Sequence, residues 1–306
     1  MKIGLALSGG GAKGLSHIGI IKAFKDFGIN IDYIAGTSSG SIIASLYAAG
    51  YTPNEILEIA EKNKKILLDY DRAVPFKLLG SAITQKVSIK GFIKGNRLER
   101  LIDRYLYLKD IRDIKDISMP LAIPVVNLET AEIVYYVNCC VEETMEKINQ
   151  KIPYNQISYD IQSFDDRPSY IKKGKLSEIV RASCSFPGVF IPKKIEGKQY
   201  IDGGVRVNTP VNILRQMGAD KVIAITFDCN KKTKFSIKNV IGISSKAFDI
   251  LSHECATKEQ EKADLNIKLC LNNVSLLDFS NPIYLANRGY NIVCRNIDEI
   301  KRRLGI

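Results

Sequence analysis

The sequence predicts an α/β fold in which helices cover both faces of a central, mostly parallel sheet. Three observations support this prediction. Apolar runs at 2–7 and 31–35 each lead into a glycine-containing loop, and each loop precedes a segment with apolar residues at helical spacing. A third apolar run, 221–227, lies between two helical patterns. Strands that alternate with helices indicate βαβ units, which build parallel sheets with helices packed on their faces.

The first elements are the most regular. The strand at 2–7 is followed by a predicted helix at 15–27, and the strand at 31–35 by a predicted helix at 39–49. Each helix ends at a glycine, Gly28 or Gly50, which is a typical helix-stop residue. The apolar spacing also predicts further helices, at 54–63, 97–108, 176–182, 209–217, 240–261 and 282–303.

The remaining strands are shorter or less distinct. Strands are predicted at 121–126, 132–137, 199–201 and 265–271, the first two as a hairpin. The segment 138–175, rich in Lys, Tyr and Asp, is the least regular part of the chain. We find no internal repeat and no linker rich in Pro, Gly and Ser. The sequence therefore predicts one domain over residues 1–306, with a less regular insertion around 138–175.

Composition excludes several classes of protein. Hydrophobic residues make up 45% and charged residues 25% of the 306, the balance of a folded chain. No apolar run approaches the ~18 residues of a membrane span, and the apolar run after Lys2 is too short for a signal peptide. We therefore expect a cytoplasmic protein. The sequence favours no particular oligomeric state.

The chain is strongly basic, and its basic residues occur in short clusters. Lys and Arg number 44 against 33 Asp and Glu, which gives a formal charge of +11. Such clusters often only solvate a surface, but they also attract anionic surfaces. No nucleic-acid-binding motif accompanies them, so we expect no nucleic-acid partner. Peripheral contact with an anionic membrane surface is the expectation that remains, and the apolar segment 73–79 with Phe76 is its predicted point of contact.

Metal and histidine chemistry receive little support from the sequence. The seven cysteines are dispersed without a C-x-x-C pair, and there are only two histidines, so we expect reduced thiols and no metal or other cofactor. His17 and His253 both fall within helical patterns. A structural role is favoured for each, so a nucleophilic serine would need a carboxylate as its base.

The motif G-T-S-S-G at 36–40 lies directly between a predicted strand and a predicted helix. This is the context of a nucleophile elbow, in which glycines at 36 and 40 make room for a tight turn that exposes Ser38. The N-terminus of the following helix favours the negative charge that develops during attack. Because Gly and Ser are common in loops, the motif alone is weak evidence.

The segment G-G-G-A-K-G at 9–14 also connects a strand with a helix, and it has two interpretations. Consecutive glycines allow backbone N–H groups to converge on an anion, as in an oxyanion hole. Gly9, Gly11 and Gly14 also match the G-x-G-x-x-G pattern of dinucleotide-binding proteins, with Asp32 eighteen residues beyond Gly14. A P-loop is excluded because Lys13 precedes Gly14 instead of following it.

Asp202-Gly203-Gly204 is the only Asp-Gly sequence in the chain. A lone D-G-G is usually a turn. Here it follows a short predicted strand, and α/β sheets gather catalytic groups at the carboxyl ends of their strands. Asp202 is therefore a candidate to face Ser38.

Together these motifs resemble the patatin-like phospholipase family. The glycine loop, the elbow and D-G-G occur in the family's order, and R-A-S-C-S-F-P at 181–187 is a further match. The resemblance implies a fold related to the α/β-hydrolases and a catalytic dyad in which Ser38 is the nucleophile and Asp202 the base. It also implies that Gly9, Gly10 and Gly11 form the oxyanion hole. The residues that support these motifs would be Lys13, Gly14, Gly36, Gly40, Gly203 and Gly204.

The activity implied by the resemblance is hydrolysis of phospholipids or other lipid esters without a metal. Two alternatives remain at this point. One is a dinucleotide-binding oxidoreductase that uses Gly9, Gly11 and Gly14. The other is a catalytically silent lipid-binding protein that keeps the fold.

Overall fold

A computed structural model describes residues 1–64, 91–141, 168–228, 259–271 and 274–306. The nine strands of the described residues belong to one sheet. They are β1 (Ile3–Leu7), β2 (Tyr33–Gly36), β3 (Leu121–Asn127), β4 (Ile133–Val137), β5 (Ser169–Ile171), β6 (Lys193–Ile195), β7 (Lys198–Asp202), β8 (Lys221–Asp228) and β9 (Leu265–Cys270). The main path through the sheet is β5-β4-β3-β2-β1-β8-β9, with β7 on β3 and β6 on β7.

The sheet is mostly parallel, which confirms the predicted fold class. The central strand β1 pairs in parallel with β2 and β8, and the pairs β2–β3, β8–β9 and β4–β5 are parallel as well. The antiparallel pairs are β3–β4, which is the predicted hairpin, β3–β7 and β6–β7. The strands β1, β2 and β3 are buried along their whole length, as expected for strands covered on both faces.

Helices pack on both faces of this sheet. The helices of the described residues are α1 (Ser16–Asp26), α2 (Ser39–Ala48), α3 (Pro53–Asn63), α4 (Asn96–Tyr107), α5 (Leu176–Ser183), α6 (Val211–Gln216), α7 (Pro282–Arg295) and α8 (Ile297–Leu304). Successive side chains of β1 point to opposite faces of the sheet and contact different helices. Leu5 and Leu7 belong to a core cluster with α1, α2 and α7, whereas Ala6 belongs to a second cluster with α6.

Three local predictions need correction. The single helix predicted over 282–303 is two helices separated at Asn296, whose side chain donates to the Ile292 carbonyl and competes with helix continuation. The predicted helix at 15–27 begins with a 3-10 turn, Gly11–Leu15. Part of the irregular segment 138–175 forms the unpredicted strand β5, whose edge pairing with β4 is a non-local contact.

Several predicted features lie outside the described residues. These are segment 73–79 with Phe76, the central part of the segment 138–175, most of the helix predicted at 240–261, and His253.

One feature of the sheet brings distant parts of the chain together. On one edge of β3, the pairing with β2 covers Leu121 and Ala122, and β2 ends at Gly36. Further along the same edge, β7 takes the place of β2, with Asp202 opposite Val125. The end of β7 therefore lies just beyond the carboxyl end of β2, where the loop containing Ser38 begins.

Candidate active site

Ser38 occupies a strained turn between β2 and α2. It is half-exposed, and its backbone has φ 51° and ψ −125°, a conformation that residues other than glycine rarely adopt. A Cβ at Gly36 would lie 2.3 Å from the Gly40 carbonyl oxygen, and one at Gly40 would lie 2.4 Å from the Leu7 carbonyl oxygen. Both positions therefore require glycine, which is the steric reason expected for a nucleophile elbow.

The backbone of Ser38 is held on both sides. Its N–H donates to Ser183 Oγ at 3.0 Å, and Ser183 Oγ donates in turn to the Pro124 carbonyl at 2.9 Å. Ser41 Oγ donates to the Ser38 carbonyl at 2.6 Å. These bonds orient the serine at the N-terminus of α2, where the helix dipole favours negative charge.

Asp202 is buried beside Ser38. Its Oδ1 accepts the Gly204 N–H at 2.8 Å, and its own N–H donates to the Ser185 carbonyl at 3.1 Å. Oδ2 is buried and has no partner of normal hydrogen-bond geometry among the described residues. Burial raises the pKa of Asp202 to about 7, although the nearby Ser38 hydroxyl and the Gly204 N–H both act to lower it.

The glycine loop touches the elbow but offers fewer free donors than the sequence predicts. A Cβ at Gly9 would lie 3.0 Å from Ser38 Cβ, so the two loops are in contact. The Gly9 N–H donates to the Asn208 carbonyl at 3.2 Å and is therefore occupied. The Gly10 and Gly11 N–H groups donate to none of the described residues. Of the three N–H groups that the sequence predicts as oxyanion donors, those of Gly10 and Gly11 are thus without an acceptor among the described residues.

The other residues of the motifs shape the site. A Cβ at Gly14 would lie 2.4 Å from Ser39 Oγ, and one at Gly203 would lie 2.4 Å from the Pro124 carbonyl oxygen. Glycine at these positions lets the first loop approach α2 and lets the end of β7 approach β3. The carbonyl of Lys13 accepts Ser16 Oγ at 2.8 Å, at the start of α1.

His17 supports the glycine loop. It is fully buried, its ring nitrogen Nε2 is 2.9 Å from the Ser8 carbonyl oxygen, and its ring centroid is 5.1 Å from that of Phe227. Burial lowers the pKa of His17 to about 4, so the ring is neutral near pH 7 and Nε2–H donates to the carbonyl. This bond holds the residue that precedes Gly9, and it agrees with the predicted structural role.

Two supporting residues were missed at the level of sequence. The backbone carbonyl of Asn208 accepts the Gly9 N–H, and Thr37 Oγ1 donates to the Val207 carbonyl at 2.9 Å. Both bonds tie the loop after Asp202 to the two loops beside Ser38. Because the acceptor at 208 is a backbone carbonyl, its side chain gives no signal in the sequence, and only its position six residues after Asp202 could have drawn attention to it.

Arg181 is the first residue of the R-A-S-C-S-F-P segment, and its buried side chain connects several loops through hydrogen bonds. Its guanidinium donates to Ser185 Oγ at 2.7 Å and to the carbonyls of Lys94 and Ile191 at 2.6 and 2.8 Å. Because the Ser185 carbonyl accepts the Asp202 N–H, Arg181 supports the backbone that carries the buried carboxyl.

The dinucleotide-binding alternative does not fit this geometry. In that class the acidic residue lies near the glycine loop, at the carboxyl end of the second strand. Here Asp32 precedes β2, and its Oδ2 accepts the Ile3 N–H at 2.7 Å, at the beginning of β1. The glycine loop follows the other end of β1, roughly 13 Å away along the strand.

The family model for patatin-like phospholipases matches residues 5–215, more than half of the chain. The chain belongs to the patatin-like phospholipase family. The matched range includes all three motifs around Ser38 and Asp202, and it confirms the resemblance inferred from them.

The chain spans only a small part of two curated relatives that it matches. Patatin-like phospholipase domain-containing protein 6 of Homo sapiens is 28% identical over 236 residues, which are 76% of this chain and 14% of that protein. Lysophospholipase NTE1 of Kluyveromyces lactis is 30% identical over 224 residues, 73% of this chain and 12% of that protein. Among solved structures, VipD from Legionella pneumophila has a TM-score of 0.47 at 16% identity, covering 97% of this chain and 67% of that one.

Two further features are absent from the part of this patatin-like chain that the structure describes. No group of three or more His, Cys, Asp or Glu side chains there is placed to hold a metal ion. No helix within the same residues combines the length and the apolar character needed to cross a bilayer.

Proposed function

We propose that this protein is a lipid acyl hydrolase in which Ser38 is the nucleophile and Asp202 the general base. One observation carries the proposal: a buried carboxylate with an unpartnered oxygen lies beside a half-exposed serine in a strained turn. A buried carboxylate oxygen without a hydrogen bond raises the free energy of the site. The Ser38 hydroxyl can donate to Asp202 Oδ2 and so supply this hydrogen bond. Membership of the patatin-like phospholipase family supports the reaction class.

The proposed first step transfers the Ser38 hydroxyl proton to Asp202 Oδ2 while Oγ attacks the ester carbonyl. A carboxyl with a pKa of about 7 is a much stronger base than an ordinary aspartate, and it is still ionised above neutral pH. Oδ1 remains bound to the Gly204 N–H, which fixes the direction of Oδ2. The nucleophile and the base are therefore set before substrate binds.

The oxyanion that forms on the carbonyl would accept hydrogen bonds from the Gly10 and Gly11 N–H groups. We assign these two because the Gly9 N–H already donates to Asn208 and the Ser38 N–H to Ser183. The N-terminus of α2 adds a favourable field. In this scheme Gly9 is a rigid support for the donors and not itself a donor.

Collapse of the tetrahedral intermediate breaks the ester bond, and protonated Asp202 gives its proton to the departing alcohol. Water then attacks the acyl-serine, losing a proton to Asp202, and a second collapse releases the fatty acid and restores the Ser38 hydroxyl. One water is consumed and one ester bond is cleaved per cycle. No metal or other cofactor takes part in this scheme.

The proposed substrates are phospholipids or other lipid esters. The names of two relatives, a patatin-like phospholipase domain-containing protein and a lysophospholipase, support this class. The charge of +11 supports a peripheral encounter with anionic membrane surfaces from a cytoplasmic location. No nucleic acid is part of the proposal.

A fluorophosphonate probe with mass spectrometry tests this proposal. We expect the probe to label Ser38 and no other serine, and Ser38→Ala to remove both the label and ester hydrolysis. Asp202→Asn should slow labelling by orders of magnitude because the serine loses its base. Ser275→Ala, at an exposed serine, is the matched control and should label like the wild type.

The same experiment separates the proposal from the catalytically silent alternative. A folded protein that binds phospholipid vesicles but neither takes the label nor hydrolyses esters would be a lipid-binding protein. Labelling that survives Asp202→Asn at the full rate would remove Asp202 from the role of base.

A further inference from the structure

The glycine loop contacts a segment from a distant part of the chain. Residues 274–281 lie between β9 and α7, beyond the range 5–215 that the family model matches. Within this segment, the Leu276 carbonyl accepts the Ala12 N–H at 2.8 Å. A Cβ at Gly11 would overlap the same carbonyl oxygen, so the backbones of the two segments are in direct contact.

Two backbone hydrogen bonds restrain Gly11, one on each side. The Gly10 carbonyl accepts the Lys13 N–H at 3.2 Å, and this bond orients the planar peptide group that also carries the Gly11 N–H. The bond from the Ala12 N–H to Leu276 orients the next peptide group. Gly11 lies between the two with φ +57°, and glycine can leave this conformation for many others. The bond to Leu276 therefore restricts a residue that is flexible by itself.

The Leu276 side chain holds this carbonyl in place. It packs against a buried apolar cluster that includes Phe186 and Phe190. Phe186 directly follows Ser185, whose carbonyl accepts the Asp202 N–H. Leu276 thus connects the glycine loop with the backbone that supports the proposed base.

We propose that Leu276 positions the oxyanion donors. By accepting the Ala12 N–H, its carbonyl keeps Gly10 and Gly11 in the conformation that leaves their N–H groups available to the oxyanion. Leu276 is a positioning residue and does not itself contact the substrate. The inference rests on the proposed function for the role of the two glycines. Because these donors act mainly on charge formed in the transition state, loss of the bond lowers kcat and changes KM little.

An ester in place of the peptide bond between Leu276 and Leu277 tests this inference, with leucic acid replacing Leu277. An ester carbonyl accepts hydrogen bonds more weakly than an amide carbonyl, and no side chain changes. The N–H that is lost donates to none of the described residues. The matched control is an ester between Val274 and Ser275, because the Val274 carbonyl and the Ser275 N–H have no backbone partner in the described chain.

The two esters should differ in their effect on kcat. We expect the 276–277 ester to lower kcat for p-nitrophenyl butyrate roughly three- to tenfold, the factor that corresponds to one net backbone hydrogen bond, with KM nearly unchanged. The 274–275 ester should leave both values as in the wild type. Equal kcat values for the two esters would overturn the inference.

Side-chain variants test the same bond in a second way. Leu276→Ala removes the packing against Phe186 and Phe190, so it should also lower kcat with little change in KM. Leu276→Met fills the same space and should restore kcat. Leu277→Ala is the matched control, since Leu277 packs on the same cluster but its carbonyl accepts no backbone N–H of the described residues. An equal loss of kcat in Leu276→Ala and Leu277→Ala would reduce Leu276 to a packing residue and overturn the inference.

Hydrogen exchange of the Ala12 amide, measured by NMR, reports on the bond without turnover. The Ala12 amide should exchange faster in the 276–277 ester and at the wild-type rate in the 274–275 ester. Faster exchange together with a wild-type kcat would overturn the inference while the proposed hydrolase stands. A wild type that takes no fluorophosphonate label and hydrolyses no ester would instead refute the proposed function, and with it the role of Leu276, whatever the exchange rate of Ala12.

Discussion

Asp202→Asn is expected to stabilise the folded protein above pH 7 while it abolishes hydrolysis. In the wild type, burial raises the pKa of Asp202 from 3.8 to about 7. Between these values the folded state keeps a proton that the unfolded chain has lost. The free energy of unfolding therefore decreases as pH rises through this window and is level above it. A pKa difference of about 3 corresponds to about 4 kcal/mol.

The asparagine side chain carries no charge, so the free-energy penalty of burying an ionised carboxylate is absent from the variant. Its Oδ1 can still accept the Gly204 N–H, but its amide hydrogens occupy the place of Oδ2, where the described residues offer no complete hydrogen bond. An unsatisfied buried donor costs about 1–3 kcal/mol. We therefore expect the variant to be more stable than the wild type by about 1–3 kcal/mol at pH 8, and no more stable than the wild type at pH 4.

Urea unfolding at pH 5, 6, 7 and 8 measures this difference, provided that the m-value is the same for both proteins. Asp298→Asn is the control, because Asp298 is exposed in the first turn of α8. Its pH dependence should follow that of the wild type. If the free energies of unfolding of the wild type and Asp202→Asn change with pH in the same way across this range, the conclusion that burial raises the pKa of Asp202 is refuted.

The pKa of Asp202 also predicts how catalysis depends on pH. The value of kcat/KM should rise about tenfold per pH unit below pH 7 and be level above it. A profile that is flat down to pH 5 would contradict this prediction. Gly10→Val should lower kcat on the order of 10²–10³-fold with little change in KM, because a Cβ there would lie 2.6 Å from the Phe227 ring and displace the donor. A rise in KM alone would mean that the loop only binds substrate. His17→Gln should still allow fluorophosphonate labelling of Ser38, since the ring only holds the Ser8 carbonyl, and loss of the label in a folded variant would give His17 a catalytic role. Binding to anionic vesicles should weaken with added salt, and equal binding to neutral vesicles would remove the electrostatic contribution.

Local patterns in the sequence were sufficient to predict most strands and helices near the site. The strands β1 and β2 and the helices α1 and α2 were predicted because apolar spacing and glycine stop signals act over a few residues. The close approach at Gly36 has the same local origin, since the turn brings it against the Gly40 carbonyl oxygen, whereas the approach of Gly40 to Leu7 in β1 depends on the pairing of strands. The order of the three motifs was also enough to identify the family.

The contacts between these segments depended on tertiary structure. Asp202 lies beside Ser38 because β7 continues the edge of β3 where β2 ends, a pairing between residues more than 70 positions apart. The Gly9 N–H is occupied because the loop after Asp202 returns to it through Asn208. Burial then raises the pKa of the carboxyl. Each of these properties arises from non-local packing, which has no periodic signature in the sequence. The sequence therefore determined the elements and motifs, while the tertiary structure determined which N–H groups stay without an acceptor and which carboxyl lies beside Ser38.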